Sequence, residues 1–135
     1  MKILVADDDD SCRQLLQDMF AADPSVEFSM THNGAEAWWK LTEPGSRFDL
    51  AIFDLCMPHV DGLQLIERVR TSSAYRNLPI ILCTGVNDRD TVTRAVKLSL
   101  QHYMVKPYKP AAMREKIETV ISRGKSRFAG LKIWS

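Results

Sequence analysis

Five short apolar runs punctuate the chain: Ile3–Ala6, Val26–Met30, Leu50–Phe53, Ile80–Cys83 and Tyr103–Val105. They are rich in Ile, Leu and Val and barely alternate with polar residues, the pattern of strands covered on both faces, as in a parallel sheet. Between them apolar residues recur at helical spacing, as in Leu15, Leu16, Met19 and Phe20, or Leu63, Leu65, Ile66 and Val69. Asn33 followed three residues later by Glu36 is close to a capping box, and Pro24, Pro44 and Gly45 punctuate element ends. Pro110 falls in the first turn of a last helix running through Met113, Ile117, Val120 and Ile121. The pattern is βα repeated five times, which implies right-handed crossovers and an open sheet with helices on both sides. Ligands of such sheets bind beyond the carboxyl ends of the strands.

A length of 135 residues is ordinary for one domain with its own core. The formal charge of +1 gives no overall reason to expect nucleic acid or membrane as partner, but its distribution is uneven. From Arg123 onward, Arg123, Lys125, Arg127 and Lys132 meet no acid, so residues 1–122 carry 14 basic against 17 acidic side chains, or −3. Residues 123–135 therefore read as a basic tail or the start of a linker. Cys12, Cys56 and Cys83 are odd in number, widely spaced and without a C-x-x-C pair, which suggests neither a disulfide framework nor a zinc site and fits a reducing cytoplasm. The first apolar run is too short for a signal-peptide core or a membrane span.

The residues just beyond each strand change the picture. Asp7, Asp8, Asp9 and Asp10 come after the first run, Asp54 after the third, Thr84 after the fourth, and Lys106-Pro107 after the fifth, so all face one crevice. Carboxylates gathered there repel, by roughly 3 kcal/mol for two unit charges about 5 Å apart at an effective dielectric near 20. A divalent cation relieves that repulsion, and a hard ion such as Mg²⁺ takes oxygen ligands while keeping waters that a phosphate oxygen can replace. A carboxylate attacking phosphorus gives an acyl phosphate. The transferring group needs donors and positive charge, which Lys106 and Thr84 offer alongside the cation. Taken singly, an acidic run before a helix is most often a cap, and a strand-terminal Asp, Thr or Lys a turn residue; four strand ends supplying complementary groups is the informative coincidence. A calcium loop counted from Asp7 fails, with Cys12 and Asp18 where Gly and Glu are required. A flavin site fails too, because four aspartates after the first strand would repel a phosphate that wants Gly, Ser and Thr there.

With these residues in place, the chain resembles the receiver domain of bacterial two-component response regulators over residues 1–122, and is similar to the single-domain chemotaxis regulators. The matching pieces are ILVADDDDSCRQLL, FDLAIFDLCMPHVDGLQLI, PIILCTG and YMVKPY, in the family's order and spacing. The resemblance implies a flavodoxin-like α/β fold, a five-stranded parallel sheet in order 2-1-3-4-5 with two helices on one face and three on the other. It implies Asp54 as phosphoacceptor, Thr84 as switch hydroxyl, Lys106 as phosphate-contacting lysine, Tyr103 as switch aromatic, and Asp7 and Asp8 as the acidic pair. In that family Mg²⁺, for which Mn²⁺ can substitute, is held by the carboxylates matching Asp8 and Asp54, by the backbone carbonyl matching Cys56, and by waters, one of them bound by the residue matching Asp7. Pro107 matches a Lys–Pro bond that is usually cis, and Gly85 a small residue giving access to the phosphoryl group.

The implied partners are a sensor histidine kinase or histidine phosphotransfer protein as donor, and a downstream protein or an output domain as target, with no nucleic acid or membrane bound by this domain. The implied chemistry is acceptance, self-phosphorylation and autodephosphorylation, with switching of a face built from the fourth helix, last strand and last helix. Ser99-Leu100 and His102 depart from the family's usual residues at that face and bear on partner identity. A hydrolase passing through an aspartyl phosphate would need a second Asp two residues after the nucleophile, where this chain has Cys56. A pseudo-receiver would lack an essential group, and all are present. His32, His59 and His102 are too scattered for a metal site, and adjacent Trp38 and Trp39 cannot share one helix face, so one is expected in the core and the other partly exposed.

Overall fold

A computed structural model describes residues 1–55, 57, 62–85, 89–98, 100 and 102–132, and of residues 89, 91, 92 and 123–132 the backbone alone. The elements follow the apolar pattern: β1 (Lys2–Ala6), α1 (Asp10–Met19), β2 (Glu27–Thr31), α2 (Gly34–Thr42), β3 (Leu50–Asp54), α3 (Gly62–Thr71), β4 (Ile80–Thr84), α4 (Arg89–Lys97), β5 (His102–Val105) and α5 (Pro110–Lys132). The strands form one sheet in the order β2-β1-β3-β4-β5, every pair parallel.

Strand alternation sorts the core into two layers. Ile3, Val5, Leu50, Ile52, Ile81 and Cys83 pack on one face against Leu16 of α1 and Met113, Ile117 and Val120 of α5. Leu4, Ala6, Ala51, Phe53, Ile80 and Leu82 pack on the other against Ala37 and Leu41 of α2, the Leu63–Val69 stripe of α3 and Ala95 of α4. The two-and-three division of helices results from this, and it explains why the runs show no alternation in sequence: both faces of β1, β3 and β4 are apolar because both are covered. Trp38 packs partly against the second layer while Trp39 is 66 % exposed, dividing the pair as expected.

Caps fix the helix starts. Asn33 accepts from the Glu36 N–H at 2.8 Å, but the Glu36 carboxylate takes the His32 N–H at 3.3 Å instead of closing the box on Asn33. α5 begins at Pro110, whose missing N–H costs nothing in a first turn. Its backbone continues as helix through Lys132, so residue 122 does not mark the end of the element. Asp61, which directly precedes α3 in the sequence, lies outside the described residues together with Pro58 and His59.

One glycine is dictated by close approach. The N–H of Gly62 donates to the Leu55 carbonyl at 3.0 Å, and a Cβ on Gly62 would lie 2.4 Å from the Asp54 carbonyl oxygen and 2.9 Å from the Leu55 Cα. Backbone cannot yield as a flexible side chain does, so Gly62→Ala is expected to cost about 1–3 kcal/mol, as overpacking does. Urea unfolding measures this, and a midpoint equal to wild type would show that the start of α3 is free to shift.

Candidate functional site

The carboxyl ends of β1, β3, β4 and β5 lie side by side because the parallel register aligns Ala6 with Phe53, Asp54 with Cys83 and Thr84 with Val105. Asp7 leaves β1 with its N–H donating to the Thr31 carbonyl at 3.1 Å; buried Thr31 in turn donates its hydroxyl to the Val5 carbonyl at 2.6 Å. Asp7 is thus pinned to the sheet. The acidic run then divides its labour. Asp9 caps α1, accepting from the Ser11 N–H at 2.9 Å, a bond that lowers its pKa, and Asp10 pairs with Arg13. Asp7 and Asp8 turn toward Asp54, and oxygens of the three lie within 4.8 Å of one another.

Among the described residues Lys106 brings a cation to this cluster. Its backbone N–H donates to the Thr84 carbonyl at 2.8 Å, and its ammonium donates to Asp7 Oδ2 at 2.8 Å and Asp54 Oδ2 at 3.2 Å. Burial favours the neutral amine, but the hydrogen bond and charge of Asp7 together with the charge of Asp54 outweigh it, so the Lys106 pKa is raised and the group is held cationic. Among the described residues three carboxylates meet one ammonium here, a formal −2 in a pocket where Asp7 and Asp54 are buried. At an effective dielectric near 20, each pair of carboxylates at such separations repels by roughly 3 kcal/mol. Hard oxygen donors with unbalanced charge are the donor set that suits Mg²⁺ or Mn²⁺.

Thr84 ends β4 buried, on the strand parity of Ile80 and Leu82, hence on the side of the sheet that carries α4. Gly85 comes next, and no described atom would lie within 4 Å of a Cβ there. Tyr103 stands apart from the carboxylates: it packs against the α4-side layer, its hydroxyl donates to the Leu100 carbonyl at 3.2 Å, and burial raises its pKa. The Lys106–Pro107 peptide bond is cis. The Cys56 carbonyl and Ser99 fall outside the described residues. Burial raises the pKa of the Cys83 and Cys12 thiols, which are free, so neither is a thiolate nucleophile near neutrality.

Sequence reasoning overlooked Arg13. Buried on α1, it donates to the Asp7 carbonyl and to the Asp10 carboxylate, bracing the β1–α1 turn from below. A signal was available: Arg13 stands three residues before Leu16 and seven before Phe20, a charge inside the apolar stripe.

Among the described residues no helix is long and apolar enough to cross a membrane. Residues 3–118 match the response regulator receiver domain family. The chemotaxis protein CheY1 of Helicobacter pylori is 32% identical over 121 residues, covering 90% of this chain and 97% of that protein. The 3',5'-cyclic-nucleotide phosphodiesterase regA of Dictyostelium discoideum is 30% identical over 122 residues, which make up 90% of this chain but 15% of the larger protein. The solved structure of the chemotaxis response regulator CheY4 of Vibrio cholerae superposes with a TM-score of 0.79 at 28% identity, covering 88% of this chain and 97% of that one. Fold, strand-end carboxylates and sequence all agree, and the chain belongs to the response regulator receiver domain family, similar to the single-domain chemotaxis regulators.

Proposed function

We propose that Asp54 is the phosphoacceptor of this receiver, and that the bridge from the Lys106 ammonium to Asp7 and Asp54 is the observation that carries the assignment. An Asp54 carboxylate oxygen forms a bond to phosphorus as the bond from phosphorus to the donor breaks. The donor is the phosphorylated imidazole of a sensor histidine kinase or phosphotransfer protein, or a small acyl phosphate, and the electron pair leaves with it. Lys106, released from part of its pairing with Asp54, contacts a phosphoryl oxygen, and the Thr84 hydroxyl donates to another. Water later cleaves the acyl phosphate, returning the Asp54 carboxylate and inorganic phosphate. Asp7, Asp8 and Asp54, with the Cys56 carbonyl, would hold Mg²⁺ or Mn²⁺, which when bound neutralises excess carboxylate charge and polarises the phosphoryl group. Asp7 contributes least directly, since its two oxygens already accept from the Asp9 N–H at 2.9 Å and from Lys106.

On this reading the protein is a cytoplasmic signalling switch with self-phosphorylation and autodephosphorylation as its sole chemistry, binding neither nucleic acid nor membrane. Its output face comprises α4, β5 and α5, where Val96 and Val105 are exposed for a downstream protein. The helical continuation of α5 to Lys132 fits either a tail of a stand-alone receiver or a linker to an output domain.

Incubation with Mg²⁺ and acetyl phosphate should add a single phosphoryl group, read by intact-mass spectrometry; no metal-dependent mass increase would refute the proposal. A companion expectation concerns Asp8, exposed at the mouth of the site. Asp8→Ala should weaken Mg²⁺ binding about tenfold or more, as loss of a hard-cation ligand does, without lowering the thermal midpoint of the metal-free protein, because one repulsive charge is gone. Calorimetric titration with undiminished affinity would remove Asp8 from the ligand set.

A further inference from the structure

Arg70, in the last turn of α3, carries its charge inward. Its Nη1 donates to the Leu78 carbonyl at 2.8 Å and the Arg76 carbonyl at 3.1 Å, and its Nε to the Leu98 carbonyl at 3.2 Å. Arg76 and Leu78 belong to the segment entering β4, while Leu98 directly follows α4. Its carbonyl is among those that a helix leaves without an intrahelical partner at its carboxyl end.

The described side chains of α4 divide unevenly. Ala95 is buried, whereas Asp90, Thr93, Arg94, Val96 and Lys97 are exposed, and Leu98 and Leu100 pack beneath its carboxyl end. α3, by contrast, buries Leu63, Leu65, Ile66 and Val69. An alanine removes little apolar area from water, so in this described part of α4 a directional bond from a cationic donor adds to what positions its carboxyl end. Two of the three Arg70 bonds stay within the body formed by α3 and the entry to β4. The third and longest crosses to α4.

We propose that Arg70 is a positioning residue for α4: its guanidinium, anchored on α3 and the β4 entry, latches the carboxyl end of α4 in the resting arrangement, and the Nε–Leu98 bond is released when Asp54 is phosphorylated. This rests on the receiver reading above. The base of the latch is connected to the site, because the first residue of α3, Gly62, abuts the Asp54 backbone, and eight residue steps of helix carry that contact about 12 Å to Arg70. Two residues beyond Leu98 the Leu100 carbonyl is taken by the Tyr103 hydroxyl, so the α4–β5 connection is held at two carbonyls, by α3 and by β5.

Linkage gives the test its sign. If Arg70 favours the resting arrangement, removing it favours the switched one, and a phosphoryl mimic must bind more tightly by the same factor. A merely structural arginine would lower the thermal midpoint without tightening anything. Beryllofluoride with Mg²⁺ is titrated into wild type, Arg70→Gln and Arg70→Lys, with the amide shifts of Leu98, Leu100 and Tyr103 as readout. Arg70→Gln is expected to start displaced toward the beryllofluoride end point and to bind the mimic about fivefold more tightly, the low end of usual site-to-site coupling. Arg70→Lys is expected in between, since an ammonium serves one or two carbonyls but lacks the fork that reaches three; it carries the test if the Gln variant does not fold. Wild-type shifts and affinity, or weaker binding, in the variants of a protein that itself responds would overturn the latch. A wild type that shows no Mg²⁺-dependent response would overturn the receiver reading and the latch with it.

Discussion

Replacing Asp54 by Asn is expected to abolish covalent phosphoryl uptake, lowering its rate by about a thousandfold or more as loss of a nucleophile does. The amide has no charged oxygen to attack phosphorus, and neither neighbour can stand in. Asp8 is exposed and would face the incoming group as a ligand of the cation, and Asp7 is committed on both oxygens to Lys106 and the Asp9 N–H. Asp54 alone of the three ends a strand between β1 and β4, with Lys106 3.2 Å away. The variant should still fold, because an asparagine oxygen can accept from Lys106 and one of three mutually repelling charges is gone. Intact mass after incubation with acetyl phosphate and Mg²⁺ reads the result, with the thermal transition as control. Labelling equal to wild type would place the acceptor elsewhere.

The strands were legible because their environment is simple. A run such as Ile80–Cys83, covered on both faces, must be apolar at every position, so Leu82 and Cys83 report a buried strand without reporting which layer each enters. The site was legible for a related reason: in a parallel sheet the residues beyond the strand ends converge, so Asp7, Asp54, Thr84 and Lys106 could be gathered from four places in the chain. The interactions that stayed hidden are those of backbone. Arg70 looks like a solvated helix charge until the carbonyls of Leu78, Arg76 and Leu98 are brought near, and Arg13, although its place in the apolar stripe marks it, shows what it serves only beside the Asp7 carbonyl. Nothing in the sequence around Gly62 announces that its lack of a side chain is set by the Asp54 carbonyl. The division of Asp7 through Asp10 into two for the site and two for the helix also needed the geometry of α1, since any of the four could have been the cap.

Thr84→Ala is expected to separate chemistry from signalling: Asp54 should still accept a phosphoryl group, while Tyr103 and α4 should fail to respond. Thr84 lies on the α4 side of the sheet with Tyr103, and its carbonyl is tied to the Lys106 N–H at 2.8 Å, so its side chain can reorient toward Asp54 while the strand end stays in register. Drawing the hydroxyl toward a phosphoryl oxygen vacates space on that side. Tyr103, packed on the same layer with its hydroxyl on the Leu100 carbonyl, is the neighbour able to use that space, and doing so disturbs the end of α4. Moving a 1:99 equilibrium to 99:1 takes about 5.5 kcal/mol of differential stabilisation. Charge-assisted bonds contribute roughly 1.5–3 kcal/mol each, so deleting the Thr84 donor removes about a quarter to a half of the drive. At the upper end that loss leaves the two states nearly balanced. Without the hydroxyl the packing change also loses its cause, because Lys106 faces the phosphoryl group from the α1 and α5 side, on the strand parity of Met104. Amide shifts with and without beryllofluoride measure the outcome. A normal mass increase with small shifts at Tyr103, Leu100 and α4 is expected, whereas full wild-type shifts in the alanine variant would show that the signal reaches α4 by another route.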